Sequence, residues 1–441
     1  MFDFSSFLSN KAFITEDHHV YTYADLLGLS ERFSEHLVPR SLIFIGCENS
    51  LESIVAYVSC LRSGVVPLLL SRDVPDETLY HLEAIYHPRY CWFPSRRDLL
   101  VKGKEKYSLG GYSLIQYDGD SPVLPEGLAL LLTTSGSTGS PKLVRLSHDN
   151  LKSNACSIIE YLKITSSEKA ITSLPMYYSY GLSVLNSHLL AGATLLLTDK
   201  SYVQREFWKF VLEEKATSFA GVPFTYEILK KMRFEKFLPS SVKVMTQAGG
   251  KLNSSLIKYF SEYARLHDIR FYVMYGQTEA TARMSYLPAE YTLNKVGSVG
   301  VAIPGGHFSL IDEDGMRIVS PNVEGELVYE GSNVFWGYAE SLDDLFKGDE
   351  NKGILYTGDL AYVDSEGFYY ISGRKKRFLK LYGNRISLDF VESIVKDHCQ
   401  ECACVGSDDK LIVYVTDLDK IDSIKSVLSN RVLINPSAYE V

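Results

Sequence analysis

Residues 130–142 of this chain read LLLTTSGSTGSPK, and the apolar run that enters them starts at Leu128. Such a run reads as a buried strand. A segment of Thr, Ser and Gly follows it directly, closed by Pro141 and Lys142. Glycine lets backbone N–H groups turn toward an anion, hydroxyls add donors, and the lysine adds charge, so the segment suits a polyphosphate. A flexible Ser/Gly linker has the same composition. Linkers seldom sit directly behind a buried strand and end in a fixed Pro-Lys, however. Nor is this a G-x-x-x-x-G-K-[ST] loop: Gly136 and Gly139 stand too close together, and no Lys-Ser or Lys-Thr pair follows a glycine.

The rest of the chain narrows the class. Its 441 residues suit a large α/β domain with an appendage. A formal charge of −9 argues against non-specific nucleic-acid binding. No apolar run is long enough to span a bilayer, and Met1-Phe2-Asp3-Phe4 lacks the basic start of a signal peptide. Seven cysteines, an odd number without a framework spacing, point to a reducing cytoplasm. Cys399, Cys402 and Cys404, with His398, lack the spacing of a zinc knuckle and read as small packing residues. Helix and strand patterns alternate over 20–72: a helix from Thr22 toward Leu37, a strand over 41–46, a helix over 49–61 and a strand over 65–70. This rhythm predicts a parallel sheet with helices on both faces. The polar stretch 102–120 reads as surface, and Ser147 or Asp149 reads as the cap of a helix.

Residues 133–142, TTSGSTGSPK, resemble the phosphate-loop signature of the adenylate-forming superfamily. Acyl-CoA synthetases, aryl acid ligases, peptide-synthetase adenylation domains and luciferases belong to it. Five further stretches resemble its landmarks, in the superfamily's order. LPMYYSYG (174–181) is similar to L-P-x-x-H-x-x-G, with Tyr178 where many members have His. TQAGG (246–250) is similar to the small-residue loop that lies against adenine, and YGQTE (275–279) to Y-G-x-T-E. TGD (357–359) and the basic run from Gly373 resemble the ribose-binding and hinge segments. Arg377 replaces the usual acid of that hinge, and Phe390 stands where Glu is common.

The resemblance implies a set of roles. Thr134, Ser135, Gly136, Ser137, Thr138, Gly139 and Lys142 would hold the ATP phosphates. Ala248, Gly249, Tyr275 and Gly276 would line the adenine. Thr278 would bond the α-phosphate, and Glu279 would bind Mg²⁺, a cation that prefers hard oxygen ligands. Asp359 would grip the ribose, Arg374 would contact the nucleotide, and Lys376 would be the pivot. Thr278, Glu279, Lys142 and Arg374 would carry the chemistry. Tyr178, Gly181, Phe224 and Gly249 would line the acid pocket. No Asp stands near Tyr178 to hold an α-amino group, which argues against an amino-acid substrate.

Expected, then, is an α/β protein. A large multi-subdomain N-terminal domain (1–373) would combine parallel-type sheets, helices and a small β subdomain. A small mobile α/β C-terminal domain (374–441), reduced or truncated, would follow the hinge, with a helix over 390–399, strands over 403–406 and 411–415, and a helix over 422–428. The expected activity is activation of a carboxylic acid with ATP and Mg²⁺ to an acyl-adenylate. Transfer to a thiol would follow, on CoA or on a phosphopantetheine-bearing acyl or peptidyl carrier protein, with an amine acceptor also open. The superfamily's C-terminal S-G-K motif does not occur in these 441 residues. Either the chain is cut before that loop or the protein works without its Lys. A non-catalytic nucleotide- or acyl-adenylate-binding protein of the same fold is the second reading. The absence of a Walker loop and of an H-R-D-like segment counts against a kinase-like phosphotransferase.

Overall fold

The computed structural model describes residues 1–95, 103–133, 142–375, 378–381, 384–399, 401–407, 410–430, 437 and 439–441. The chain divides into two compact units, one of residues 1–307 and 330–355, the other of 308–329 and 356–441.

The first unit is built on two large sheets. In one, strands Leu42–Cys47, Val66–Ser71 and Leu128–Thr133 lie side by side and parallel. They are buried along almost their whole length, as strands covered on both faces must be. The connecting helices start where the sequence supplies caps. Thr22 and Asp25 form a capping box for helix Tyr23–Ser34, and Ser50 caps helix Leu51–Ser63. Gly64 then ends that second helix in the left-handed region, where a side chain would be strained. The sheet is mixed rather than wholly parallel. Strand Leu143–Ser147 turns back antiparallel on Leu128–Thr133, and Gly337–Ala339 pairs antiparallel with it in turn.

The stretch expected to be surface is instead a hairpin on the other edge of this sheet. Its first strand, Gly103–Leu109, is mostly exposed, as its charges require. Its second, Tyr112–Tyr117, buries Tyr112, Leu114 and Ile115. Alternation with polar neighbours hid those apolar residues.

The second large sheet has parallel strands Lys169–Ile171, Thr194–Leu196, Ser218–Gly221, Val244–Gln247 and Arg270–Tyr275 at its centre. Antiparallel strands Ser285–Leu287 and Val301–Ala302 extend one edge. Helix His148–Leu162 follows the first sheet. Ser147 caps it in a box with Asn150, whose amide also donates to the carbonyls of Ser332 (2.8 Å) and Val334 (2.7 Å).

The second unit contains a five-stranded sheet in the order Arg317–Ile318, Gly306–Ile311, Gly325–Gly331, Ile354–Val363, Tyr369–Arg374. Beyond it, helix Leu388–Val395, strands Cys402–Ser407 and Lys410–Val415, and helix Ile421–Asn430 form the small α/β tail. Leu379, Val391, Val395, Leu411, Ile424 and Leu428 pack a core of its own. Cys399 and Cys404 are buried and Cys402 half-buried. Among the described residues no group of three or more His, Cys, Asp or Glu is arranged to hold a metal ion. No described helix is long and apolar enough to cross a membrane.

Candidate active site

Thr133 and Leu143 face each other at the ends of two antiparallel strands, so the phosphate-loop segment joins adjacent strand ends. Thr134 through Gly139, the residues expected on the phosphates, lie outside the described residues. Lys142 is the first described residue after them. Its Nζ lies 2.7 Å from a Glu340 carboxylate oxygen and 5.7 Å from the centre of the Tyr338 ring. The hydroxyl of that same tyrosine donates to Glu279 Oε1 at 2.7 Å. Burial, and then the Glu279 charge beside it, push the Tyr338 phenol up, so it stays a donor at ordinary pH. Lys142 and Glu279 are remote in sequence, yet one tyrosine joins them. Nothing in the sequence singled out Tyr338; it arrives on a three-residue strand paired with Leu143–Ser147.

Glu279 is held from several sides. Strand Arg270–Tyr275 delivers the chain to Gly276, where a Cβ would stand 1.8 Å from the Ala282 carbonyl oxygen. That glycine is therefore required by the folding of the loop on itself. A short 3₁₀ turn, Thr278–Ala280, follows. Next comes Thr281 at φ 67°, a conformation that a β-branched residue adopts only under constraint. The constraint is visible: the Thr281 hydroxyl donates to the Asn333 carbonyl at 2.7 Å, Asn333 Nδ2 donates to the Ala280 carbonyl at 2.9 Å, and Phe335 N–H donates to the Glu279 carbonyl at 2.8 Å.

The aromatic stretch reaches the same place. Tyr178 immediately precedes helix Ser179–Leu190, and Ser179 Oγ lies 3.1 Å from Thr278 Oγ1. The Tyr178 hydroxyl rests against Gly249, which has φ +82°, and a Cβ there would come within 2.5 Å of it. Small Ala248 and Gly249 thus leave room for one ring already, and Ala248 is buried. Gly181 has a packing reason: a Cβ would meet the Pro175 carbonyl oxygen at 2.2 Å. Phe224, the second residue of helix Pro223–Met232, is 62% exposed. Tyr275 and Gly276 are half-buried.

In the second unit, Asp359 and Arg374 are paired across neighbouring strands. Asp359 is only 4% exposed, and its carboxylate lies 3.3 Å from Arg374 Nε. The Arg374 N–H donates to the Asp389 carboxylate at 2.9 Å. The expected pivot, Lys376, lies outside the described residues.

A carboxylate, a lysine and hydroxyls meeting at strand ends form a donor set suited to a metal-bound phosphate. Comparison with known proteins gives it a lineage. The profile described as AMP-binding enzyme matches residues 6–339. A 2-succinylbenzoate–CoA ligase of Bacillus cereus is 32% identical over 427 residues, covering 92% of this chain and 86% of the relative. The o-succinylbenzoate CoA synthetase of Bacillus subtilis, solved with the acyl-adenylate OSB-AMP, superposes with a TM-score of 0.77 at 23% identity, covering 96% of this chain and 90% of that one. The same synthetase solved with ATP and magnesium gives 0.73 at 24% identity, covering 92% and 86%. These two structures show the likeness of fold. With a profile match over most of the first unit and a relative this similar along nearly its whole length, the chain belongs to the family of AMP-binding enzymes.

Proposed function

We propose that this protein activates a carboxylic acid with ATP and passes the acyl group to the thiol of CoA. A carboxylate oxygen of the acid attacks the α-phosphorus and pyrophosphate leaves, forming the acyl-adenylate. The thiol sulfur then attacks the acyl carbon, and AMP leaves as the thioester forms. Both steps build negative charge on phosphate oxygens, which preorganised donors stabilise. The observation that carries the reading is the Lys142–Tyr338–Glu279 arrangement in a member of the AMP-binding family. Lys142 would neutralise the departing phosphates, Thr278 would donate to the α-phosphate, and Glu279 would be the protein's ligand to Mg²⁺. Glu279 would share that ion with phosphate oxygens and water, as Mg²⁺ sites commonly do. The ion supplies charge neutralisation on the phosphates when bound. Asp359 is assigned to the ribose hydroxyls and Arg374 to the nucleotide.

The similar ligases are named for 2-succinylbenzoate, which makes that acid the first to test. ATP–pyrophosphate exchange over a panel of acids, with 2-succinylbenzoate included, should show exchange dependent on one acid class. Thioester formation should then follow with CoA; preference for a phosphopantetheine carrier protein would redirect the second step. Absence of exchange with every acid would leave only nucleotide binding and overturn the proposal.

A further inference from the structure

The short strand Gly337–Ala339 is held by more than its own pairing. It runs antiparallel to Leu143–Ser147, with Gly337 opposite Arg145, Tyr338 opposite Val144 and Ala339 opposite Leu143. Arg145 is fully buried, and its guanidinium meets the Glu350 carboxylate and the carbonyls of Trp336, Tyr338, Lys347 and Gly348. A cation taken out of water is kept only where a counter-charge and acceptors meet its donors. Those same bonds tie the backbone at Trp336 and Tyr338 to the strand that starts beside Lys142. Gly337, at φ +140°, is required there, because a Cβ would stand 2.6 Å from Arg145 Nη2.

The ring of Tyr338 is fixed from a second side. It packs edge-on against Phe335, with centroids 4.9 Å apart and planes at 71°, and Phe335 is buried. The Phe335 N–H donates to the Glu279 carbonyl at 2.8 Å. One residue therefore holds both the turn that carries Glu279 and the ring that reaches it. Tyr338 then offers two chemically separate features. Its hydroxyl donates to Glu279 Oε1 at 2.7 Å. Its ring lies 5.7 Å from the Lys142 ammonium, which the Glu340 carboxylate, two residues further along, meets at 2.7 Å.

We propose that Tyr338 is a positioning residue for both charges of the phosphate site: its hydroxyl holds the Glu279 carboxylate in place for Mg²⁺, and its ring supports the Lys142 ammonium for the ATP phosphates. The proposal rests on the roles given above to Glu279 and Lys142 and adds the group that aligns them. A hydrogen bond at Oε1 fixes the plane of the carboxylate and leaves Oε2 as the ligand oxygen. A carboxylate free to rotate would have to be ordered on binding, at a cost in affinity. The ring face attracts an ammonium through its quadrupole and carries no net charge, so it steadies the lysine without neutralising it.

Substitution separates the two functions. Tyr338→Phe keeps the ring and its packing on Phe335 and removes only the hydroxyl, whereas Tyr338→Leu removes both. Calorimetry of ATP binding to the full chain, once with Mg²⁺ and once with EDTA, gives the gain in affinity that the ion brings. Tyr338→Phe should cut that gain about tenfold, the loss expected for a partly exposed hydrogen bond to a charged group. Its ATP binding in EDTA should stay within about twofold of wild type, since Lys142 keeps its ring. Tyr338→Leu should also weaken ATP binding in EDTA by about threefold, the size of an exposed cation–π contact. The melting temperature of Tyr338→Phe should stay within about 2 °C, because no cavity opens. A tyrosine that only packs would leave the Mg²⁺ gain unchanged in Tyr338→Phe, and that result overturns the positioning of Glu279. Unchanged binding in EDTA by Tyr338→Leu overturns the support of Lys142. A wild type in which Mg²⁺ brings no gain overturns the metal role of Glu279 and its positioning together. The measurement needs no acid, so failure of pyrophosphate exchange with every acid would remove acid activation, while the lost gain in Tyr338→Phe would still support the inference.

Discussion

Glu279 shows how little of a residue's environment its motif reveals. Within YGQTE it is a carboxylate after a glycine and a hydroxyl. In the fold it is hydrogen-bonded by Tyr338 and fixed by contacts from Asn333 and Phe335 to its own turn. Glu279→Gln keeps the size and an oxygen for the Tyr338 hydroxyl but removes the charge. It should therefore lower pyrophosphate exchange by on the order of 100-fold, a loss typical of deleting one preorganised electrostatic group. The melting temperature should stay within about 2 °C, since a surface-accessible amide replaces a carboxylate without opening a cavity. Turnover that survives the change would remove Glu279 from the metal assignment. Gly276 teaches the converse: a glycine expected at the adenine is demanded by the loop's own close approach to Ala282.

Helix Ser179–Leu190 carries the next level. Its N-terminus puts Ser179 by Thr278, and its first turns face Arg283 through Tyr180 and Ser183. Its C-terminal turn buries His188, whose Nδ1 bonds the Val184 carbonyl at 2.8 Å. Burial pulls the His188 pKa down to about 4 from an ordinary 6.5. Between those values the unfolded chain binds a proton that the folded chain refuses, so stability rises with pH there. This contribution is complete above pH 6.5 and is lost as pH falls toward 4. By pH 4.5 it should have removed roughly 2–3 kcal/mol, one pKa unit being about 1.4 kcal/mol. Urea unfolding of wild type and His188→Gln at pH 7.5 and 4.5 reads this directly. The stability gap between the two should close in the acid, and a gap constant with pH would show that the imidazole does not titrate as described.

At the scale of the molecule, the two compact units cut across the sequence, since 308–329 and 356–441 belong together. The tail has its own core around Val391, Leu411 and Ile424, consistent with a body able to move as one piece. If Lys376 is the pivot of such a movement, Lys376→Ala should slow thioester formation at least about tenfold while leaving pyrophosphate exchange within about twofold, a decade in rate being about 1.4 kcal/mol of barrier. Single-turnover measurement of each half-reaction separates them. Equal loss in both steps would sink the pivot.

The sequence by itself determined the class of fold and the order of the landmarks. Those depend on local signals: apolar runs over 42–47, 66–71 and 128–133, caps at Thr22, Ser50 and Ser147, and glycines where the backbone must turn. Such signals act over a few residues, so they survive without knowledge of the rest. Tertiary structure alone decided that Tyr338 would stand between Lys142 and Glu279, that Tyr112, Leu114 and Ile115 would be core, and that Arg283 would be buried against Tyr161, Tyr180 and Ser183. A tyrosine's partner, a strand's neighbour and a buried cation's surroundings are set by which distant segments the sheets bring together, and no short-range pattern encodes that.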